Sequence, residues 1–405
     1  MILSKILFLI GMALRVFGAY FFIIALFSLR KTAEYRTCKP KQRFALLIPA
    51  RNEETVIGEL VQSLLKQDYP KELFDVYVIP NNCTDGTEAA ARNAGAKIIS
   101  LTKQVRCKGD ALHESIDRLM QGHYDVFCVF DADNVADPQF LAQMNRAFCS
   151  GARVAKARME AKNPYDSWIA GCYGLYFSTF NFFFNRARSN LGLSAKLVGT
   201  GFAVSCDFLR EIGGWNTDTL AEDAEFSAQC ALAGERVWWV PGAVTYDEEP
   251  NSFRLSMIQR RRWCSGIMQV AKIKLPQLLQ SWRRDTWPRT LDFIMFLFAP
   301  FVQSLSVISL LLSFGLALAG GAEAATDLLA VSAGTAASSY LGTTLLAAAV
   351  AYGSGHRDKR IVKSVLTFPV FMVSWIPLQV LSLFCKTTKW HEIRHIRKIV
   401  IEDVA

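Results

Sequence analysis

Two apolar blocks bracket this chain and limit what it can become. Residues 6–29 and most of 291–385 are far more apolar than the middle, and they hold runs long enough to cross roughly 30 Å of hydrocarbon at about 1.5 Å per residue. Such a chain reads as an integral membrane protein, and its 405 residues leave room for one large water-facing domain between the blocks. The net charge of +9 follows the same logic. Arg30-Lys31, Arg36 to Arg43, Arg254 to Arg262, Arg283-Arg284, Arg357 to Lys363 and Lys386 to Lys398 flank the apolar segments, as cytosolic loops and anionic headgroups favour, so no nucleic-acid partner is expected. The ten cysteines form no Cys-x-x-Cys pair and no zinc-type cluster, and they read as buried thiols in a reducing compartment.

The segments divide as follows. Residues 1–30 form an N-terminal transmembrane anchor, too long for a signal-peptide core, and Arg30-Lys31 after it places the middle of the chain in the cytosol. Arg15 sits within this anchor and either snorkels, pairs within a bundle or faces a polar path. A cytosolic domain covers 40–253, interfacial helices 254–288, and two transmembrane helices 289–354, the spans being 291–319 and 328–352. Pro369 and Pro377 interrupt the apolar stretch 361–386, which reads as an interfacial, re-entrant or transmembrane helix. A full span there would carry the basic tail 387–405 outside, against the charge rule, so an interfacial or re-entrant helix and a cytosolic tail are expected. The protein is thus a multi-pass cell-membrane protein with its main domain cytosolic.

From Phe44 to about Ala157, short continuous apolar runs (Phe44–Pro49, Phe74–Pro80, Lys97–Leu101, Asp125–Phe130) alternate with helical stretches (Thr55–Lys66, Gly86–Ala94, Gly109–Met120, Pro138–Phe148). This predicts an α/β fold, a mostly parallel sheet with helices on both faces. Its strand C-terminal ends share one edge, where ligands bind. That edge collects Arg51-Asn52-Glu53-Glu54, Asn81 to Asp85 and Asp131-Ala132-Asp133, and a nucleotide site is the natural expectation. Asp85 also suits a helix cap, and Lys108 a helix start from which it could reach a diphosphate. Asn82-Cys83-Thr84 is a chance glycosylation match in a cytosolic domain. No phosphate-binding Gly-x-x-x-x-Gly-Lys-Ser/Thr loop is present, and Gly199-Thr200-Gly201 lacks the rest of a dinucleotide fingerprint, so neither an ATPase nor a dehydrogenase is supported.

Asp131-Ala132-Asp133 ends a buried strand, where carboxylates must be solvated, paired or bound to a hard cation such as Mg²⁺ or Mn²⁺. The aromatic stretch 165–195 is either an interfacial helix or a core helix. Val198 to Ser205 reads as a strand whose glycines admit a close neighbour. The acidic run Ala221 to Glu225 and the basic run Gln259 to Trp263 suggest a site with both signs of charge around an anion. In a helix, Gln259, Arg262 and Trp263 share one face.

The ordered set Pro49-Ala50-Arg51-Asn52-Glu53, Asn82 to Thr87, Lys108 to Leu112, Asp131-x-Asp133, Gly199-Thr200-Gly201, Glu222-Asp223 and Gln259-x-x-Arg262-Trp263, followed by membrane, resembles the membrane-bound family 2 glycosyltransferases of the polysaccharide synthase type, which include cellulose, chitin and hyaluronan synthases. The resemblance implies a GT-A fold over about 44–270 and a nucleotide-sugar donor, usually UDP-linked. Donor-binding roles would fall to Pro49, Arg51, Glu53, Asn82, Asp85, Lys108, Asp131, Glu222, Gln259 and Arg262. Within that set Glu53 and Asp85 would hold base and ribose, and Lys108 the diphosphate. Asp131 and Asp133 would bind Mg²⁺ or Mn²⁺, Asp223 would be the catalytic base, and Gly199, Thr200, Gly201 and Trp263 would meet the acceptor. Trp390 would have a gating role. The implied reaction inverts the anomeric centre and extends a β-linked polysaccharide at the cytosolic membrane face. The alternative is transfer of one sugar to a lipid of ceramide or polyprenyl type. A noncatalytic partner subunit is disfavoured by the intact Asp131, Asp133 and Asp223. The expected partners are the donor, a glycan or lipid acceptor and membrane lipids, and an oligomer is compatible with the sequence.

Overall fold

The uninterrupted apolar run of β1 (Phe44–Ala50) places it at the centre of the domain, with all seven residues buried. The computed structural model describes residues 2–281, 286–385 and 399–404. The other strands are β2 (Phe74–Pro80), β3 (Lys97–Ile98), β4 (Val126–Val129), β5 (Val135–Ala136), β6 (Val154–Ala161), β7 (Phe202–Ser205) and β8 (Val237–Asp247). They form one sheet in the order β3-β2-β1-β4-β7-β6-β8-β5.

The strands anticipated upstream of Phe130 pair in parallel, β3 with β2, β2 with β1 and β1 with β4. The other half makes the sheet mixed. β7 runs antiparallel to both β4 and β6, β8 is parallel to β6, and β5 closes the edge antiparallel to β8. β7 also begins four residues later than the Val198–Ser205 run suggests, because the Thr200 amide turns back to the Val198 carbonyl, and only Gly201 of that segment makes backbone bonds to the neighbouring strands.

Alternation along β1 sends Phe44, Leu46 and Ile48 to one face, packed with Ile57, Leu60, Phe140 and Met144 of two covering helices. Ala45 and Leu47 face the other way, among Leu112, Ile116, Phe208, Trp215 and Phe226. Helices therefore cover both faces, and the strand ends are left open as a site.

Among the described residues, three helices are long and apolar enough to cross a membrane: Lys5–Leu29, Trp287–Ala319 and Ile361–Phe384. The last is broken at Ser374 into Ile361–Val373 and Trp375–Phe384. The helix Ala322–Gly353, expected to supply a span, is not among them, since its many Ala, Ser and Thr residues keep it less apolar. The aromatic stretch is a core helix, Trp168–Thr179, continued by a π-helical segment, Phe180–Arg186. Its Ile169, Tyr173 and Phe177 pack against Phe368 and Phe371 of the last apolar helix pair. At its end the buried Arg188 makes a two-pronged pair with Asp292 at 2.8 and 2.9 Å, and Tyr20 donates to the same carboxylate at 2.8 Å. The N-terminal helix, the aromatic segment and Trp287–Ala319 meet there.

Candidate active site

A cavity of about 810 Å³ opens at the C-terminal ends of β1, β2 and β4. Pro49, Arg51 and Glu53 line it from the end of β1, Asn81 from β2, and Asp131 and Asp133 from β4. The first residue of the helix Lys108–Leu119 reaches into its floor. Lys108 Nζ lies 2.6 Å from Asp131 Oδ1 and 3.3 Å from Glu222 Oε1, and it also donates to the Gly199 carbonyl. Burial alone would lower this ammonium, but the carboxylates of Asp131 and Glu222 outweigh it and raise its pKa. Burial raises the Glu222 carboxyl, and Lys108 opposes the shift.

The Val198–Gly201 loop joins the acidic elements. Gly199 N donates to Asp223 Oδ2 at 2.8 Å, and a β-carbon on Gly199 would stand 3.0 Å from Asp131 Oδ2. A side chain there would crowd the Asp131 carboxylate. Thr200 Oγ1 accepts from the Asp131 amide at 3.0 Å and donates to Asn134, while its carbonyl accepts from the buried Lys156 at 2.9 Å. Asp223 sits in the first turn of the helix Glu222–Leu232, where the backbone N–H groups favour negative charge.

The long helix Phe253–Gln280 crosses this helix start at Gly266, where a β-carbon would come within 2.7 Å of the Ala221 side chain. That close crossing brings Gln259, Arg262 and Trp263 to the cavity wall. Trp263 stacks on Trp375 with centroids 6.1 Å apart and planes at 26°, and Tyr173 meets it edge-on. Beyond Asp223 the wall turns apolar, through Phe180, Phe296, Pro300, Met372, Val373 and Ile376. Lys196 lines the cavity there, its Nζ 4.5 Å from the centre of the Phe296 ring and 5.5 Å from that of Phe180. Burial lowers its pKa, partly opposed by Asp223.

Among the predicted site residues, Pro49, Arg51, Glu53, Lys108, Asp131, Asp133, Gly199, Thr200, Glu222, Asp223, Gln259, Arg262 and Trp263 line this one cavity. Three others stand outside its lining. Asn82 has a left-handed backbone at φ 52° and gives its side-chain amide to the Val105 carbonyl, so it shapes the turn after β2. Asp85 accepts from the amides of Thr87 and Glu54, tying the two strand-tip loops together, and these hydrogen bonds help to hold its carboxyl below the usual range despite partial burial. Gly201, at φ 59°, packs against Thr245. Asn81, the neighbour of Asn82, lines the cavity instead. Trp390 lies outside the described residues.

Asp247, Lys196, Trp375 and Gln379 line the cavity and carry no motif that marks them in the sequence. Asp247 ends β8, and burial, then Asp133 and Asp131, push its carboxyl well above the usual range. Its Oδ1 is sealed from solvent and has no hydrogen-bond partner among the described residues. A buried carboxyl facing two other carboxylates is suited to neighbour a divalent cation. Among the described residues no group of three or more His, Cys, Asp or Glu side chains is arranged to enclose an ion unaided. That fits an ion such as Mg²⁺ or Mn²⁺ that keeps waters and shares a substrate's phosphate oxygens.

Residues 40–266, more than half of the chain, match the family described as glycosyltransferase like family 2. The chain is 27% identical over 282 residues to the Bacillus subtilis protein named probable glycosyltransferase YdaM, covering 67% of this chain and 65% of that one. It is 28% identical over 273 residues to a beta-monoglucosyldiacylglycerol synthase of Synechocystis, covering 64% of this chain and 54% of that protein. The chain thus spans less than two thirds of the length of these relatives. More distant matches include a Staphylococcus epidermidis poly-beta-1,6-N-acetyl-D-glucosamine synthase. In fold it resembles a Pyrobaculum calidifontis mannosyltransferase solved with GDP-mannose and Mn²⁺, at a TM-score of 0.65 and 19% identity, over 94% of this chain and 99% of that one. The matched span contains β1 to β8, Asp223 and the Gln259–Trp263 face, and the chain belongs to glycosyltransferase family 2.

Proposed function

We propose that the chain transfers one sugar from a nucleoside diphosphate sugar, of the UDP-linked kind, to a hydroxyl of a membrane lipid, with inversion at the anomeric carbon. One observation carries this reading: a single cavity runs from Asp131 and Asp223 to an apolar wall that includes residues of two candidate membrane helices, Phe296 and Pro300 on one and Met372, Val373 and Ile376 on the other. A lipid can present its headgroup to Asp223 while its chains stay against that wall. The similarity to the Synechocystis beta-monoglucosyldiacylglycerol synthase supports the same acceptor class.

In this reading Asp223 accepts the proton of the attacking hydroxyl, which is a poor nucleophile at neutral pH without a base in hydrogen-bond reach. The Gly199 amide holds one oxygen of that carboxylate and so sets its orientation. Arg262 and Gln259 face the diphosphate, where the guanidinium offsets charge that grows as the sugar departs. Asp131 and Asp133 would hold a divalent cation, which supplies Lewis acidity at the diphosphate when bound. Lys108 keeps Asp131 and Glu222 in register, and Trp263, backed by Trp375, gives the sugar or headgroup a flat apolar face.

A second reading, extension of a β-linked polysaccharide, is favoured by that same Trp263–Trp375 platform, on which a pyranose would stack. The sequence motifs rank the polymer first; the apolar wall reverses the order. Purified protein in lipid nanodiscs, given labelled nucleotide sugars and Mg²⁺ or Mn²⁺, should yield a label that extracts into organic solvent as a singly glycosylated lipid. A long water-soluble chain would restore the polymer reading, and nucleotide release without a glycosylated product would remove both.

A further inference from the structure

Lys196 is a cation at the seam between the catalytic end of the cavity and its apolar wall. Its backbone is fixed on both sides: the Ala195 amide donates to the Val237 carbonyl at 2.9 Å, and its own amide donates to the side-chain oxygen of the buried Asn185 at 3.2 Å. The side chain lines the cavity and rests against Phe180 and Phe296, the latter on the candidate membrane helix Trp287–Ala319. Other enclosed lysines have an oxygen to answer them. Lys156 donates to the Thr200 carbonyl, and Lys162 to the Asp133 carbonyl with Glu248 3.4 Å away. Among the described residues the Lys196 ammonium has no hydrogen-bond acceptor and no carboxylate in ion-pair range. Asp223, whose charge reaches it, is already engaged, one oxygen with the Gly199 amide and the other with the Ala224 amide. Two aromatic faces offset only part of what an ammonium loses on leaving water. A cation so placed, facing a cavity, calls for an anion on a bound molecule.

We propose that Lys196 pairs with the phosphodiester of the acceptor lipid, so that the acceptor is an anionic glycerophospholipid with a free headgroup hydroxyl. This deepens the lipid-acceptor reading and rests on it. The order of groups along the cavity carries the choice of anion. Asp223 takes the hydroxyl, the wall of Phe296, Met372 and Val373 takes hydrocarbon, and Lys196 lies where the two meet. In a glycerophospholipid the phosphate stands in that same place, between the headgroup hydroxyls and the acyl chains. The donor's diphosphate is answered elsewhere, by Arg262 and Gln259. An ammonium offers three donors on a compact charge, which suits phosphate oxygens in any rotation about the phosphorus.

The test sets a phosphate-bearing acceptor against a neutral one. Dioleoylphosphatidylglycerol and dioleoylglycerol share acyl chains and a free hydroxyl, and only the first carries a phosphate. Each is offered at equal mole fraction in phosphatidylcholine nanodiscs. Wild type should favour the phosphatidylglycerol by about tenfold or more in kcat/KM, as one hydrogen bond to a charged partner would give. Lys196→Met should bring that ratio to about one, whereas Lys196→Arg, which keeps the charge, should retain most of the preference. Variants and wild type meet the same discs, so the surface charge that the anionic lipid adds cancels from the comparison. Lys196→Gln provides a second neutral side chain in case the first packs badly. If a folded neutral variant keeps the wild-type ratio, or if wild type uses the neutral lipid equally well, the proposal is overturned while the lipid reading stands. A rise in donor KM that is the same with either acceptor would place Lys196 on the donor's diphosphate and overturn it too. If wild type glycosylates neither lipid and makes a water-soluble polymer, the lipid reading fails and the proposal goes with it.

Discussion

Lys108 Nζ stands 2.6 Å from Asp131 Oδ1, an ion pair that locks the start of one helix to the end of β4 and also reaches Glu222 at 3.3 Å. A lysine so engaged serves the carboxylates first. Lys108→Met leaves two neighbouring carboxylates without their counter-charge. It should cost about 1–2 kcal/mol of stability, toward the low end because Asp131 is partly open to solvent. Thermal unfolding in detergent reads that loss, and donor titration should show only a modest drop in affinity. An unchanged melting temperature with collapsed donor affinity would instead place Lys108 on the diphosphate.

Asp223→Asn separates holding from reacting. The asparagine side chain still offers an oxygen to the Gly199 amide, so the loop between Asp131 and Asp223 keeps its anchor. Without a group able to take the hydroxyl proton, kcat should fall by about 10²–10⁴-fold, with donor and metal affinity close to wild type. Transfer at near wild-type rate would mean that the base is elsewhere in the cavity.

Trp375 acts through Trp263. The stacked pair fixes the angle of the Trp263 ring, with Tyr173 closing its edge. Trp375→Ala removes an aromatic contact worth about 0.5–1.5 kcal/mol, which should appear as a rise of roughly three- to tenfold in acceptor KM, with donor KM little changed. Trp375→Phe should recover much of the effect, since a ring is retained. Equal losses for donor and acceptor would argue that Trp375 only supports the fold.

The half of the sheet at the Asp131 end of the cavity is legible in the sequence because β1 and β4 are unbroken apolar runs, β2 is apolar but for Asp75, and all three end in polar tips. β6 and β8 are hidden for specific reasons. β6 carries the buried Lys156, and β8 contains Pro241 and Gly242 where its pairing with β6 loses register between Ala157 and Arg158. Asp131, Asp223, Arg262 and Trp263 can be picked out from residue type and order. Asn82 and Asp85 sit at the right strand tip, but turn and capping geometry claims their side chains. Asp247, Lys196 and Gln379 escape notice because nothing local marks them. Their surroundings come from elements far away in sequence, and only the closed fold brings them to one cavity.

Lys156 gives the domain a pH signature. Burial drives its ammonium from 10.5 down to about 8, against the pull of Asp247, Asp223 and Asp131. Between about 8 and 10.5 the unfolded chain holds a proton that the folded chain has released, so this group makes stability rise with pH across that window. Below it, the folded protein carries the full cost of a buried charge. In chelator-treated protein, Lys156→Met should therefore gain about 1–3 kcal/mol at pH 7, after allowing for the lost bond to Thr200, and the gain should shrink above pH 8. Thermal unfolding at a series of pH values checks this, and a gain that stays constant with pH would contradict it.

The Arg188–Asp292 pair tests whether the N-terminal helix is held by charge or by apolar contact. Both side chains are almost wholly buried, at 1% and 5% exposure, and Tyr20 donates to the same carboxylate. Arg188 also lies 3.4 Å from the centre of the Phe184 ring, so its guanidinium is enclosed by aromatic surface and one carboxylate. Asp292→Ala strands that cation and removes the partner of Tyr20, and a loss of about 3–5 kcal/mol is expected from breaking one side of a buried pair. The double replacement Arg188→Met with Asp292→Leu removes both charges, and it should recover much of that loss because no ion is left without its partner. Limited proteolysis after Arg30 should follow the same order, fastest in Asp292→Ala and slower in the double variant. If the double variant is as unstable as the single one, the geometry of the salt bridge, more than charge balance, holds the three segments together.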